Sequence, residues 1–276
     1  EEDYKKMKRK YSMIYLTTKC SSPAEMLYIA AETGYDCIDV RTIPMGLPGE
    51  KKFDLANDKE LFAQTERARK DTGISIDSIE NARVFDGMSV KDYEPHLEAA
   101  ARLGVRHVLS NIWSADRGYA EEKFGELCDL AVRYDQKIDL EFVTWSSVKD
   151  LKAAADILRA VQRPNAGILV DTLHFHRSGV TLEALKEIPA EWLYCLHICD
   201  APEGIPTDAD ALAYTAREGR LYPGDGCINI REIANAAEWP VYGIEIPNNR
   251  QWEQLGIKEH AARALECTKK YLGEKL

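Results

Sequence analysis

The stretch "GILVDTLHFHRSG", residues 167 to 179, runs apolar through Val170 and then sets Asp171, His174 and His176 within a few positions. Three other short apolar runs end in a comparable way: "KIDLEF" delivers Glu141, "LYCLHI" delivers His197 and "PVYGIEI" delivers Glu245. Glu, Asp, His and Glu are hard oxygen donors plus one imidazole, a set that suits Mn²⁺, Mg²⁺, Co²⁺ or Zn²⁺. Three carboxylates crowded together repel one another strongly unless a cation sits between them. Any one of these acids has an ordinary reading as a helix N-cap or a salt-bridge partner. Four donors in succession at equivalent positions point instead to a single divalent ion.

Other residues gather near the same strand ends. His174 and His176 fall in the loop or first helical turn after Asp171; His174 is expected to face the substrate, and His176 has no assigned role. Arg220, in "RLYPGDG", is a candidate clamp for a substrate hydroxyl or carboxylate, with Pro223, Gly224 and Gly226 holding a turn beside it. Arg41, Glu80 and Asn111 close the second, third and fourth strands and are candidates for the opposite side of the cavity, though each also fits a cap or an ion pair. "CLHICD" sets Cys195, His197 and Cys199 on one side of a strand. Same-face positions on a straight strand are too extended to converge on a tetrahedral zinc, so this trio is read as barrel interior.

These positions act together only if the chain brings successive strand ends to one rim. Eight β-rich runs are present: 12–17, 36–41, 74–80, 106–111, 137–142, 166–171, 193–198 and 240–246. Helical patterns alternate with them, as in "PAEMLYIAAETG", where Pro23 opens and Gly34 closes the segment. The alternation predicts an α/β fold, a closed (β/α)₈ TIM barrel in one domain over 11–276 behind a charged extension at 1–10. An open doubly wound sheet lacks its signature, because the first turn reads "TTKCSSP" and not GxGxxG. The long connection from about 199 to 226 is expected to be a functional or mobile loop.

The 276 residues are 45% hydrophobic and 30% charged, enough to bury a large core. No apolar run nears the roughly 18 residues that a spanning helix needs, so no membrane association is expected. The seven cysteines form no CxxC pair, which fits free thiols in a reducing cytoplasm. A net charge of −10 argues against nucleic acid as partner, and the basic cluster in "EEDYKKMKRK" is read as a solvated tail. A small molecule is the expected partner; a homo-oligomer stays open.

"LEF" at 140–142, "GILVDTLHFHRSG", "LHICD", "RLYPGDGCINI" and "GIEIPNN" together resemble the xylose isomerase-like TIM-barrel superfamily. Within it they are similar to the sugar (phosphate) isomerases and epimerases of the 2-keto-myo-inositol isomerase kind. The likeness spans the barrel and is sharpest in its second half. It implies one divalent ion held by Glu141, Asp171, His197 and Glu245, the two glutamates doubling as acid/base groups, with substrate contacts from His174 and Arg220.

The expected function is metal-dependent isomerisation or epimerisation of a sugar or cyclic polyol ketone, by proton transfer through a metal-stabilised enediolate. A dehydratase of a cyclic keto-polyol, such as 3-dehydroshikimate or inosose, is the runner-up, because the same intermediate can expel a β-hydroxyl. A non-catalytic binding subunit is a third reading. An abasic-site endonuclease is disfavoured by the acidic charge and by the lack of additional His/Asp ligands in the last third.

Overall fold

The computed structural model describes residues 8–46 and 50–274, in which eight parallel strands close into a barrel in chain order. They are β1 (Tyr11–Ile14), β2 (Cys37–Arg41), β3 (Ser75–Glu80), β4 (His107–Ser110), β5 (Lys137–Glu141), β6 (Ala166–Asp171), β7 (Leu193–Ile198) and β8 (Val241–Ile244). Closure is made by β1 pairing with β8, Met13 beside Ile244. The fold is a single-domain TIM barrel, as the alternation predicts.

Each parallel step needs a crossover, and local signals set the helices that supply it. Ser22 and Glu25 form a reciprocal capping box before Pro23–Thr33, and Gly34 ends that helix at φ 88°. In Leu151–Val161, capped by Asp150, the residues Leu151, Ala154, Ala155, Leu158 and Val161 recur at helical spacing and are buried against the barrel.

Three differences from the expected elements have physical causes. β1 and β8 stop short because Thr17, in the 3₁₀ turn Tyr15–Thr18, takes over the ladder: its hydroxyl donates to Ile244 O at 2.8 Å and accepts from Ile246 N at 2.9 Å. Glu245 therefore stands one residue beyond β8. The long connection is not structureless, since Asp208 caps a helix over Ala209–Glu218 within it.

The third difference is at the start of the chain, where residues 1–7 of the expected extension lie outside the described residues. Arg9 and Lys10 do not form a solvated tail. Arg9 pairs with Glu274 at 3.0 Å and Lys10 with Asp77 at 2.5 Å, and Lys10 O accepts from Tyr242 N at 2.9 Å.

Lys10 thereby joins a polar layer in the barrel floor. Tyr194 donates to Asp77, its ring stacks on His107 at 3.3 Å between centroids, and His107 Nδ1 lies 2.7 Å from Asp139. Nearby, Ser12 donates to Asp39 at 2.6 Å, and burial followed by the charge of Asp77 pushes the Asp39 carboxyl up to about 7. This layer lies at the end of a TIM barrel that serves stability, while the opposite rim carries reactive groups. Among the described residues, no helix is long and apolar enough to cross a membrane.

Candidate metal centre

Glu141 ends β5, Asp171 ends β6, His197 is the penultimate residue of β7, and Glu245 follows β8. All four are buried, and one donor atom from each lies within 4.8 Å of the others. Side-chain bonds fix them. Glu245 Oε2 lies 3.1 Å from His197 Nδ1 and 3.2 Å from Arg220 Nη1, and the same Arg220 nitrogen donates to Asp171 Oδ2 at 2.7 Å. Asp171 Oδ1 accepts from Leu173 N at 2.7 Å, so this acid caps the helix Thr172–Arg177 and faces the cluster at once. Asn111 Nδ2 is 3.4 Å from Glu141 Oε2.

Burial opposes every charge here, and the neighbours decide the balance. The Glu141 carboxyl is pushed up to about 8 by burial and then by Glu245 and Asp171. Glu245 goes the other way: burial would raise it, but Arg220 and His197 more than offset that and hold it well below the usual carboxylate range. Burial would lower His197, yet Glu245 and Cys195 hold its pKa well above the ordinary value.

The residues fit a divalent ion. Three carboxylates face a single guanidinium, and His197 Nε2 is buried without a hydrogen-bond partner. Three buried carboxylates and one imidazole within reach of one another are hard donors whose mutual repulsion a divalent cation would offset.

A pH prediction follows from Glu141. Below about pH 8 its carboxylate is protonated in the metal-free protein, and ligation needs the ionised form, so binding expels a proton. Affinity for Mn²⁺ is expected to rise as pH increases from 6 to 8, with proton release at pH 7 measurable by titration calorimetry in buffers of different ionisation heat. For metal-free stability the sign is negative: a carboxyl raised by folding binds more protons folded than unfolded, so its contribution falls as pH climbs from 4.5 towards about 8. A pH-independent Mn²⁺ affinity would contradict this account.

Arg220 is 2% exposed and spends its guanidinium on the acids of the cluster and on Ala216 O. It reaches substrate only past those bonds, although it lines the cleft. His174 lines the same cleft, with Nδ1 2.9 Å from Thr144 Oγ1 and 3.5 Å from Thr144 N. Burial lowers its pKa to about 4, so it is neutral, and a backbone N–H facing Nδ1 places its proton on Nε2. Arg41 and Glu80 face each other at 2.8 Å across the cleft wall, where Asn111 also lies. His176 does not line the cleft; its Nε2 is 3.6 Å from Cys227 Sγ. Cys195 and Cys199 are buried free thiols outside the four-donor cluster.

Several supporting residues escaped the sequence reading. Trp113 Nε1 donates to Asn111 Oδ1 at 2.7 Å, which turns the amide so that its NH₂ meets Glu141. Asp200 accepts from the N–H groups of Ala201, Gly224, Gly226 and Ile228 and so builds the turn after Arg220. Asn248 Nδ2 donates to Arg220 O at 2.8 Å, and His260 Nε2 meets Ile246 O at 2.8 Å.

Gly243 had a readable signal, a glycine inside a strand, which often marks close approach. A Cβ there meets His197 Cδ2 at 2.6 Å and Ile14 Cδ1 at 2.8 Å. Gly243→Ala is therefore expected to push the imidazole aside and weaken metal binding about 10–100-fold, read by chelator competition. Unchanged affinity would show that the ring position does not matter.

Residues 27–271 match the xylose isomerase-like TIM barrel family. The chain belongs to that family. Inosose isomerase from Bacillus velezensis is 27% identical over 228 residues, covering 78% of each chain. Inosose isomerase from Halalkalibacterium halodurans is 25% identical over 270 residues, 91% of this chain and 92% of that one. Among solved structures, the IolI protein with a bound zinc atom superposes with a TM-score of 0.76 at 22% identity over 95% of this chain and 98% of its own. D-allulose 3-epimerase from Methylomonas sp., in complex with D-allulose, gives 0.70 at 16% identity over 95% and 97%.

Proposed function

We propose that this family member is a divalent-metal-dependent isomerase or epimerase that moves a proton beside the carbonyl of a sugar or cyclic polyol ketone. The observation that carries the reading is the convergence of Glu141, Asp171, His197 and Glu245, with two glutamates on one cage. The chain is an enzyme of the isomerase/epimerase class, as its inosose isomerase relatives support. Those relatives also support a polyol ketone as the substrate, and the zinc in the IolI structure supports a metal at the cluster.

When bound, a divalent ion at Glu141, Asp171, His197 and Glu245 acts as a Lewis acid on the oxygens of the substrate and offsets the charge that builds as its α-proton leaves. The chain does the rest. One of Glu141 and Glu245 takes the α-proton and the other returns one, at the same carbon for epimerisation or at its neighbour for isomerisation. Their opposite electrostatic settings favour such a division of roles. His174, neutral and with its proton on Nε2, donates to a substrate hydroxyl. Arg220 keeps Asp171 and Glu245 ionised and oriented. Trp113, Trp145 and Val143 wall a cleft of about 70 Å³, which limits water around the reacting carbons.

The test is deuterium uptake from D₂O into a panel of keto-sugars and inososes with added Mn²⁺, followed by NMR. Exchange at the carbon next to the carbonyl is expected, and loss of a β-hydroxyl in the products would mark a dehydratase. No exchange with any candidate would overturn the mechanism.

A further inference from the structure

Leu16, Arg41, Met45 and Arg217 line both the cleft over the acid cluster and a neighbouring cavity of about 250 Å³. That second cavity is strongly cationic, adding Lys19 and Lys51 to its wall. The acids around it are already engaged. Glu50 accepts from the N–H groups of Met45 and Gly46, Glu218 accepts from Asn249 Nδ2 at 2.6 Å, and Glu80 pairs with Arg41.

The cations are not matched in the same way. Arg83, half-buried behind the cavity wall, donates to Met45 O at 2.6 Å and lies over the Phe85 ring, with no carboxylate partner among the described residues. Arg217, exposed at the mouth, makes no hydrogen bond or ion pair among the described residues; its guanidinium lies 6.0 Å from the Trp145 ring centroid. Burial and then the like charges of Arg41 and Arg83 lower its pKa, and Glu218 offsets this only in part. Guanidinium groups crowded beside a reaction cleft repel one another until an anion enters, and their planar fork matches carboxylate and phosphate oxygens.

We propose that the substrate carries an anionic group, a carboxylate or a phosphate monoester, seated in this side cavity against Arg217, with Lys19 and Lys51 in the same wall and Arg83 adding positive charge from behind Met45, while its keto-polyol end lies over the acid cluster. This rests on the isomerase or epimerase reading above and narrows its substrate class. Arg217 and Arg83 then select substrate by charge and take no part in proton transfer.

The test is calorimetric titration of the Mn²⁺-loaded protein at low ionic strength with three probes of one carbon skeleton: D-glucitol, D-gluconate and D-glucitol 6-phosphate. At least one anion is expected to bind about tenfold or more tighter than D-glucitol, and which one does so separates carboxylate from phosphate. Arg217→Gln is expected to bring that anion to within about twofold of D-glucitol, and Arg83→Gln to act in the same direction to a smaller extent. Equal binding of the three probes, binding of none, or an anion preference that survives both substitutions overturns the proposal. The isomerase reading stands or falls separately, on deuterium exchange.

Discussion

Glu245→Gln is expected to lower turnover by about 10²–10⁴-fold and to strip most of the bound metal while the barrel stays folded. The amide keeps the size of the side chain but removes the charge that His197 and Arg220 both face. It also removes one of the two groups able to exchange a proton with the substrate. The fold survives because β8 is held by its pairing with β1 and β7 and by Thr17, none of which involves the carboxylate. Rate, metal content and circular dichroism together check this. Full activity in the variant would remove Glu245 from the mechanism.

Arg220→Met is expected to cost about 3–5 kcal/mol of stability in the metal-free protein, because it leaves Asp171 and Glu245 buried beside each other without their cation. The loss is expected to shrink when Mn²⁺ is added, since an ion bound only by the folded state supplies the missing positive charge and stabilises by mass action. Urea melts of wild type and variant, with EDTA and with Mn²⁺, measure the difference. An equal loss under both conditions would mean that Arg220 acts through packing and not through charge.

The barrel and its rim were legible because both are written in local patterns. An apolar run that ends in Glu141 or Asp171 marks a buried strand and its reactive end within a few residues, and the same holds for Arg41 and Glu80. The five motifs of the second half, read as a family resemblance, added what they had in common. What stayed hidden is held at long range. Thr17 acts on Ile246, Asn248 on Arg220 and Trp252 on Thr17, pairs separated by up to 235 residues, and no spacing within one element encodes them. The cationic side cavity was missed for the same reason, since Lys19, Arg41, Lys51 and Arg217 come from distant parts of the chain. The pairing of Arg220 with Asp171 and Glu245 was hidden likewise, because sequence shows a cation near a turn but not the carboxylates it meets.

The Thr17 hydroxyl, which clasps the backbone on either side of Glu245, also sets a schedule for biosynthesis. The last-made member of the quartet is seated by a residue made before all four, so a growing polypeptide has no complete cage until the first and eighth strands have met. A chain arrested before the eighth stave is thus expected to release Mn²⁺ to a weak chelator that the finished protein resists.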